Sequence, residues 1–155
     1  MTGILPLRSR PLFTMELAVS AFRMVAGPEG GGLRIADVPG GSFNGERLRG
    51  AVLADGTDWQ TLRGDGAVLL DARLVLKTHD DALIAMTYIG IRHGPPEVME
   101  KLSRGEYVDN GSYYFRITPA FRTSDPRYEW LNRTVAVGVG ERLPAGPRYM
   151  VHEVL

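Results

Sequence analysis

Apolar side chains recur at every second position through most of this chain, the period of a strand with one buried face rather than the 3.6 of a helix. Over residues 11–25, Phe13, Met15, Leu17, Val19 and Ala21 fall on one face, with Thr14, Glu16, Ala18 and Ser20 on the other. A glycine-rich turn at 27–32 leads into a second strand over 33–38, and the two are expected to form a hairpin. A turn cluster at 39–45 precedes a strand over 46–53, where Leu48, Gly50 and Val52 share a side. Over 66–78, Val68, Leu70, Ala72, Leu74 and Leu76 alternate with a face that carries Asp71 and Arg73 together. Over 82–92, Ile84, Met86, Tyr88, Gly90 and Arg92 line up in the same way, and segments at 112–121, 128–139 and 148–155 complete the set. One stretch breaks the rhythm. At 95–102 two prolines stand where a helix begins, followed by Glu97, Lys101 and apolar Val98, Met99 and Leu102 at helical spacing, which predicts a short helix or lid.

About eight to ten short strands joined mostly by short turns predict an all-β chain. The expected form is a single antiparallel up-and-down β-barrel, with a β-sandwich as the alternative. The 155 residues suffice for one domain spanning 1–155, with its core in about 12–155. A closed barrel of this size leaves room for side chains or one small ligand inside.

Composition removes several classes of function. With no cysteine, the chain has no disulfide, thiolate metal site or cysteine nucleophile. Eighteen Lys and Arg balance eighteen Asp and Glu, so the diffuse positive field used in nucleic-acid binding is missing. No run approaches the roughly 18 apolar residues of a spanning helix, and 1–10 has no apolar signal core, so the expected location is the cytoplasm. His79, His93 and His152 are scattered at no recognised ligand spacing, and no metal is expected. Ser42 lies outside any Gly-x-Ser-x-Gly elbow, and the 27–32 glycines lack the Lys-Ser/Thr of a phosphate loop, so no cofactor is expected either.

The candidate chemistry centres on residues 54–60, an acid-rich segment read as a turn at a barrel mouth. There Asp58 offers an acceptor or base and Trp59 a stacking face, unless the Trp only plugs the barrel end. Arg73, with Asp71, can orient a ligand carboxylate or enol, or the two can form a solvated charge pair. Either face of 112–121 can be the inner one: Tyr114 and Arg116 then add a phenol and a cation to a pocket, or form a surface or dimer contact. Trp130 and Asn132 supply an aromatic and an amide, or core packing with a turn cap.

Six segments together resemble the UPF0311 family, also called DUF3237: GGSFNG at 40–45, GTDWQ at 56–60, DAR at 71–73, YIGIR at 88–92, YYFR at 113–116 and YEWLN at 128–132. The resemblance runs in order over about 12–155 and includes the 95–109 insertion. It implies a small single-domain β-barrel of bacteria and fungi whose bacterial members mostly have no assigned activity. Some fungal relatives are similar to cofactor-free cyclases that close a ring by adding a hydroxyl across an alkene. On this reading the chain is a pocket-bearing barrel, with enzyme status open. As a cofactor-independent cyclase, isomerase or lyase for a small aromatic or polyketide-like molecule, it would use Asp58 as acid or base and Arg73 and Arg116 to stabilise an enolate or phenolate. Trp59, Tyr88, Arg92, Tyr114, Trp130 and Asn132 would hold the substrate. The alternatives are a non-catalytic ligand-binding barrel, or an interaction protein whose barrel is filled. The expected partner is a small-molecule ligand, with no nucleic acid, no membrane, and a homodimer as an open option.

Overall fold

The alternating faces close into a ring. The computed structural model describes residues 3–27 and 32–155, so positions 28–31 of the expected 27–32 turn lie outside the described residues. β1 (Ser9–Ala18) and β2 (Arg23–Ala26) form one interrupted stave, because both pair antiparallel with the following stave at the same offset. That stave is β3 (Gly32–Val38) followed by β4 (Gly40–Asn44), and β5 (Arg49–Val52) with β6 (Gly56–Leu62) make the next. β7 (Val68–Thr78) pairs with both β5 and β6, then β8 (Leu83–His93), β9 (Tyr114–Arg122), β10 (Ala136–Leu143) and β11 (Gly146–Val154) follow as a meander. β11 pairs back onto β1, with Thr14 opposite Met150, and the result is a closed eight-strand antiparallel barrel. Closure removes the sheet edges that would otherwise template aggregation.

The short helix is α1 (Pro96–Ser103), which starts after Pro95 and sinks Leu102 into the core. No helix among the described residues is long and apolar enough to cross a membrane. Two local expectations change. Residues 128–133 do not begin a strand: Glu129–Arg133 is a 3-10 helix, and Tyr128 and Leu131, three apart and both buried, match its three-residue turn. Asp58, Trp59 and Gln60 are not a turn either, since they lie inside β6, and the bend is one step earlier at Ala54 and Asp55. A β-bulge between Pro11 and Phe13 turns Leu12 inward beside Phe13.

The barrel interior has two unlike ends. Phe13, with Phe43 and Phe121 packed edge-on at 5.6 and 6.0 Å, anchors an apolar half with Leu48, Leu76 and Ile84. That end is finished by buried Glu153, which accepts hydrogen bonds from both Arg10 and Arg47. Burial pushes the Glu153 carboxyl up, but these two arginines outweigh it and leave it below its ordinary range. The other end carries Asp58, Gln60 and Arg92, all buried.

The ladder between β5 and β7 needs glycine at 50. A Cβ there would lie 2.0 Å from the Lys77 carbonyl oxygen and 2.8 Å from the Thr78 Cα, contacts made with backbone that cannot swing aside. Gly50→Ala is therefore expected to lower stability by ~3 kcal/mol or more, measured by urea unfolding, and an unchanged midpoint would contradict this β5–β7 register.

Candidate functional site

Strand alternation sends Asp58 and Gln60 into the barrel and Trp59 out of it. Asp58 is 3% exposed and Gln60 2%, whereas Trp59 is 46% exposed. Across the ladder, Asp58 stands opposite Ala72, and Ala72 opposite Tyr88, so an alanine separates the carboxylate from the phenol and leaves space between them. Gln60 Nε2 donates to Asp58 Oδ2 at 2.8 Å, and Gln60 Oε1 accepts from Arg34 Nε and Nη2 at 3.0 and 2.8 Å. The amide thus relays between an acid and a base, each fixed by the other. Tyr149 donates to the Tyr88 hydroxyl at 3.2 Å, with the rings edge-on at 5.2 Å.

Arg92 ends the inward row of β8 and is 6% exposed, its guanidinium 5.2 Å over the Phe115 ring. Phe115 takes that position because residue 140 has no side chain: a Cβ on Gly140 would meet the ring at 2.6 Å. Arg142 completes the end, its backbone N–H donating to the Tyr113 hydroxyl at 2.8 Å. Two atoms in this cluster are buried without a protein partner, Asp58 Oδ1 and Arg92 Nε. Their residues line one cavity of about 10 Å3 together with Gln60, Phe115, Arg142 and Tyr149, a space on the scale of a single water.

Burial governs the ionisation here. It raises the Asp58 carboxyl above its ordinary value, against the Gln60 hydrogen bond and the charges of Arg92, Arg34 and Arg142. Burial also lowers the Arg92 guanidinium to about 10, helped by its like-charged neighbours Arg142 and Arg34. Tyr88 is raised well above the usual phenol range by the same desolvation, with Tyr149 and Asp58 adding to it. Among the described residues no three His, Asp or Glu side chains converge as a metal cage.

Of the residues singled out in the sequence, Asp58, Tyr88 and Arg92 therefore meet inside. The others do not join them. Trp59, Tyr114 and Arg116 point outward into a groove of about 720 Å3 on the outer face of β6 to β9, because the inner face of 112–121 is the one carrying Tyr113, Phe115 and Ile117. Arg73 lines a separate outer hollow with Asp55 and Arg122. Trp130 and Asn132 belong to the far end: Arg47 stacks 4.1 Å over the Trp130 ring, and Asn132 clamps Thr123 by accepting from its N–H and donating to its carbonyl, both at 2.8 Å. Seven residue steps along β9 take Phe115, opposite Arg92, to Arg122 beside that clamp, roughly 23 Å at strand rise. Sequence reasoning passed over Arg34, Arg142 and Tyr149. Tyr149 was reachable by alternation, two residues from Val151, whereas Arg34 and Arg142 carry no local signal.

Comparison with known proteins agrees with this architecture. Residues 7–154 match the family described as "Protein of unknown function (DUF3237)". A UPF0311 protein of Rhodopseudomonas palustris is 40% identical over 131 residues, covering 84% of this chain and 86% of that protein. A crystal structure of a conserved protein of unknown function from the same organism superposes with a TM-score of 0.94 at 34% identity, covering 98% of this chain and all of that one. A "beta-barrel like protein" of Acinetobacter baumannii gives 0.87 at 36% identity over the full length of both chains. A structure titled as an enzyme from Penicillium herquei shares the fold, with a TM-score of 0.76 at 21% identity over 100% of this chain and 99% of that one. By sequence and by structure alike, this chain belongs to the DUF3237 family, also named UPF0311.

Proposed function

We propose that the Asp58 end of the barrel is the active site of a cofactor-independent isomerase, lyase or cyclase acting on a small aromatic or polyketide-like molecule. The observation that carries this is Asp58 Oδ1, a buried carboxyl oxygen with no protein partner that belongs to the group lining the cavity beside Arg92. A carboxyl whose neutral form is favoured by burial can deliver a proton at a pH where an exposed one is already ionised, and can take it back afterwards. Arg92 and the Tyr88 hydroxyl, which accepts from Tyr149, supply donors for an oxyanion that develops opposite Asp58, a role the sequence suggests for Arg73 and Arg116. The Penicillium herquei enzyme lends the fold a catalytic precedent at the level of architecture only. A guest larger than a water enters only if the side chains around the cavity part, and Phe22, stacked 4.3 Å from Arg34, lines that cavity from the link between β1 and β2.

A second reading, self-association through the outer groove, draws on a different feature. Two rows of outward residues cross this face, Ile35, Trp59, Asp71, Ile89 and Thr118 beside Leu33, Thr61, Leu69, Ile91 and Arg116. Asp71 and Arg116 form no ion pair among the described residues, and both line the groove, so two copies facing each other across it could pair Asp71 of one with Arg116 of the other.

Three outcomes test these readings. Incubated with a small-molecule extract of its native host, the protein should convert a component to an isobaric product or one lighter by a water, and Asp58→Asn should not; equal conversion by both proteins removes Asp58 from the chemistry. The same variant should be more stable than wild type at neutral pH by ~1–3 kcal/mol, because it removes a buried charge while its amide oxygen still accepts from Gln60. Because the folded pKa of Asp58 lies above the unfolded one, the favourable contribution of its protonated form is complete below the unfolded value near 3.8 and fades as pH rises through the folded value. The advantage of Asp58→Asn should accordingly shrink toward acid pH, and an advantage that is flat with pH would contradict the shift. For the second reading, sedimentation should give a dimer that Ile89→Lys converts to monomer, and a monomeric wild type discards it.

A further inference from the structure

The interior cluster holds more positive charge than its own carboxylate can answer. Arg34, Arg92 and Arg142 all act on Asp58, and the two outer arginines depress Arg92 in turn. Arg34 has an answer in Gln60 Oε1, and Arg142 Nη1 donates to the Leu143 carbonyl at 2.8 Å. Arg92 has neither: its Nε finds no protein acceptor, its guanidinium lies over the face of Phe115, and it is almost wholly buried. Burying a guanidinium without a hydrogen-bonded counter-charge is costly, and a barrel that needed only to be filled would place an apolar side chain there. At the opposite end the same fold shows the ordinary solution, with Glu153 answered by Arg10 and Arg47.

We infer that the missing partner of Arg92 is an oxyanion of the ligand, so that the site, once the side chains around its water-sized cavity part, takes an acidic small molecule, bound through a carboxylate or through an enol or phenol acid enough to ionise. The inference rests on reading the Asp58 end as a ligand site, and it adds the charge of what enters. Guanidinium binds such groups strongly and directionally, and Arg92 lines the cavity together with Asp58 and Tyr149. A neutral Asp58 is compatible with an anion alongside it, because a protonated carboxyl donates to an oxyanion rather than repelling it. The Tyr88 hydroxyl, which accepts from Tyr149 and keeps its own proton free, adds one further donor.

The test compares formate, acetate and benzoate with formamide, acetamide and benzamide, by calorimetry at constant ionic strength, and adds 4-nitrophenol with its phenolate absorbance as the readout. At least one carboxylate should bind about tenfold or more tightly than its amide, or 4-nitrophenol should be bound as the phenolate at a pH below its free pKa. The first result assigns a carboxylate ligand and the second an enol or phenol. Arg92→Met should abolish the preference while folding at least as stably as wild type. In the wild type, the Arg92 Nε–H proton resonance should shift on adding the preferred anion, a readout that does not depend on the variant. Equal binding of each acid and its amide with no phenolate shift, no binding by any probe, or a preference that survives Arg92→Met overturns the inference. Asp58→Asn should keep the anion preference while losing turnover, so a protein that converts neutral compounds without favouring anions defeats this inference alone.

Discussion

The pairing of β11 back onto β1 is the constraint from which the rest follows. Until the ring closes, each strand has two faces and nothing to distinguish them but composition. Once Thr14 lies opposite Met150, one face of every stave looks into a closed space and the other into solvent. Period-two alternation then allots each residue without further choice. A single strand such as β6 places Asp58 and Gln60 inside and Trp59 outside, three consecutive residues with opposite fates.

The enclosed space is treated differently at its two ends. Phe13, Phe43 and Phe121 fill one half and pack edge-on, and Glu153 seals it with its charge matched by two arginines. The other half is lined by groups that burial acts against, a carboxyl pushed toward its neutral form and a guanidinium pushed toward its own. One polar chain, Arg34 to Gln60 to Asp58, is satisfied along its length and ends in an oxygen that is not. An interior selected for stability alone would show the first pattern at both ends. The asymmetry sets the Asp58 end apart as the end where buried polar atoms are left without a protein partner.

Small residues make that end possible as much as polar ones do. Ala72 separates Asp58 from Tyr88 in the ladder, and Gly140 admits the Phe115 ring on which Arg92 lies. The outer face of the same strands carries its own apolar rows, with Trp59, Ile89 and Tyr114 exposed, so the strands that bear Asp58, Tyr88 and Arg92 inside also build an external groove of about 720 Å3.

Much of this was present in the order of the residues. Alternation over 66–78 and 82–92 determined that Tyr88 and Arg92 share a face with Met86 and Ile84, and that Asp71 and Arg73 share the other, because side-chain direction in a strand depends only on parity. The prolines at 95 and 96 determined where the helix starts. Which face is inner over 112–121 was not in the sequence, since Tyr113 and Phe115 are as compatible with a surface as Tyr114 and Arg116 are with a pocket. Only closure of the sheet decided it, by turning Phe115 toward Gly140. Tertiary structure also decided that Trp130 and Asn132 stand at the far end, and that Arg34 and Arg142, from strands distant along the chain, gather around Asp58. The physical reason is that alternation is local and survives in one dimension, whereas convergence depends on register between strands, which is set by bulges and by the ring as a whole.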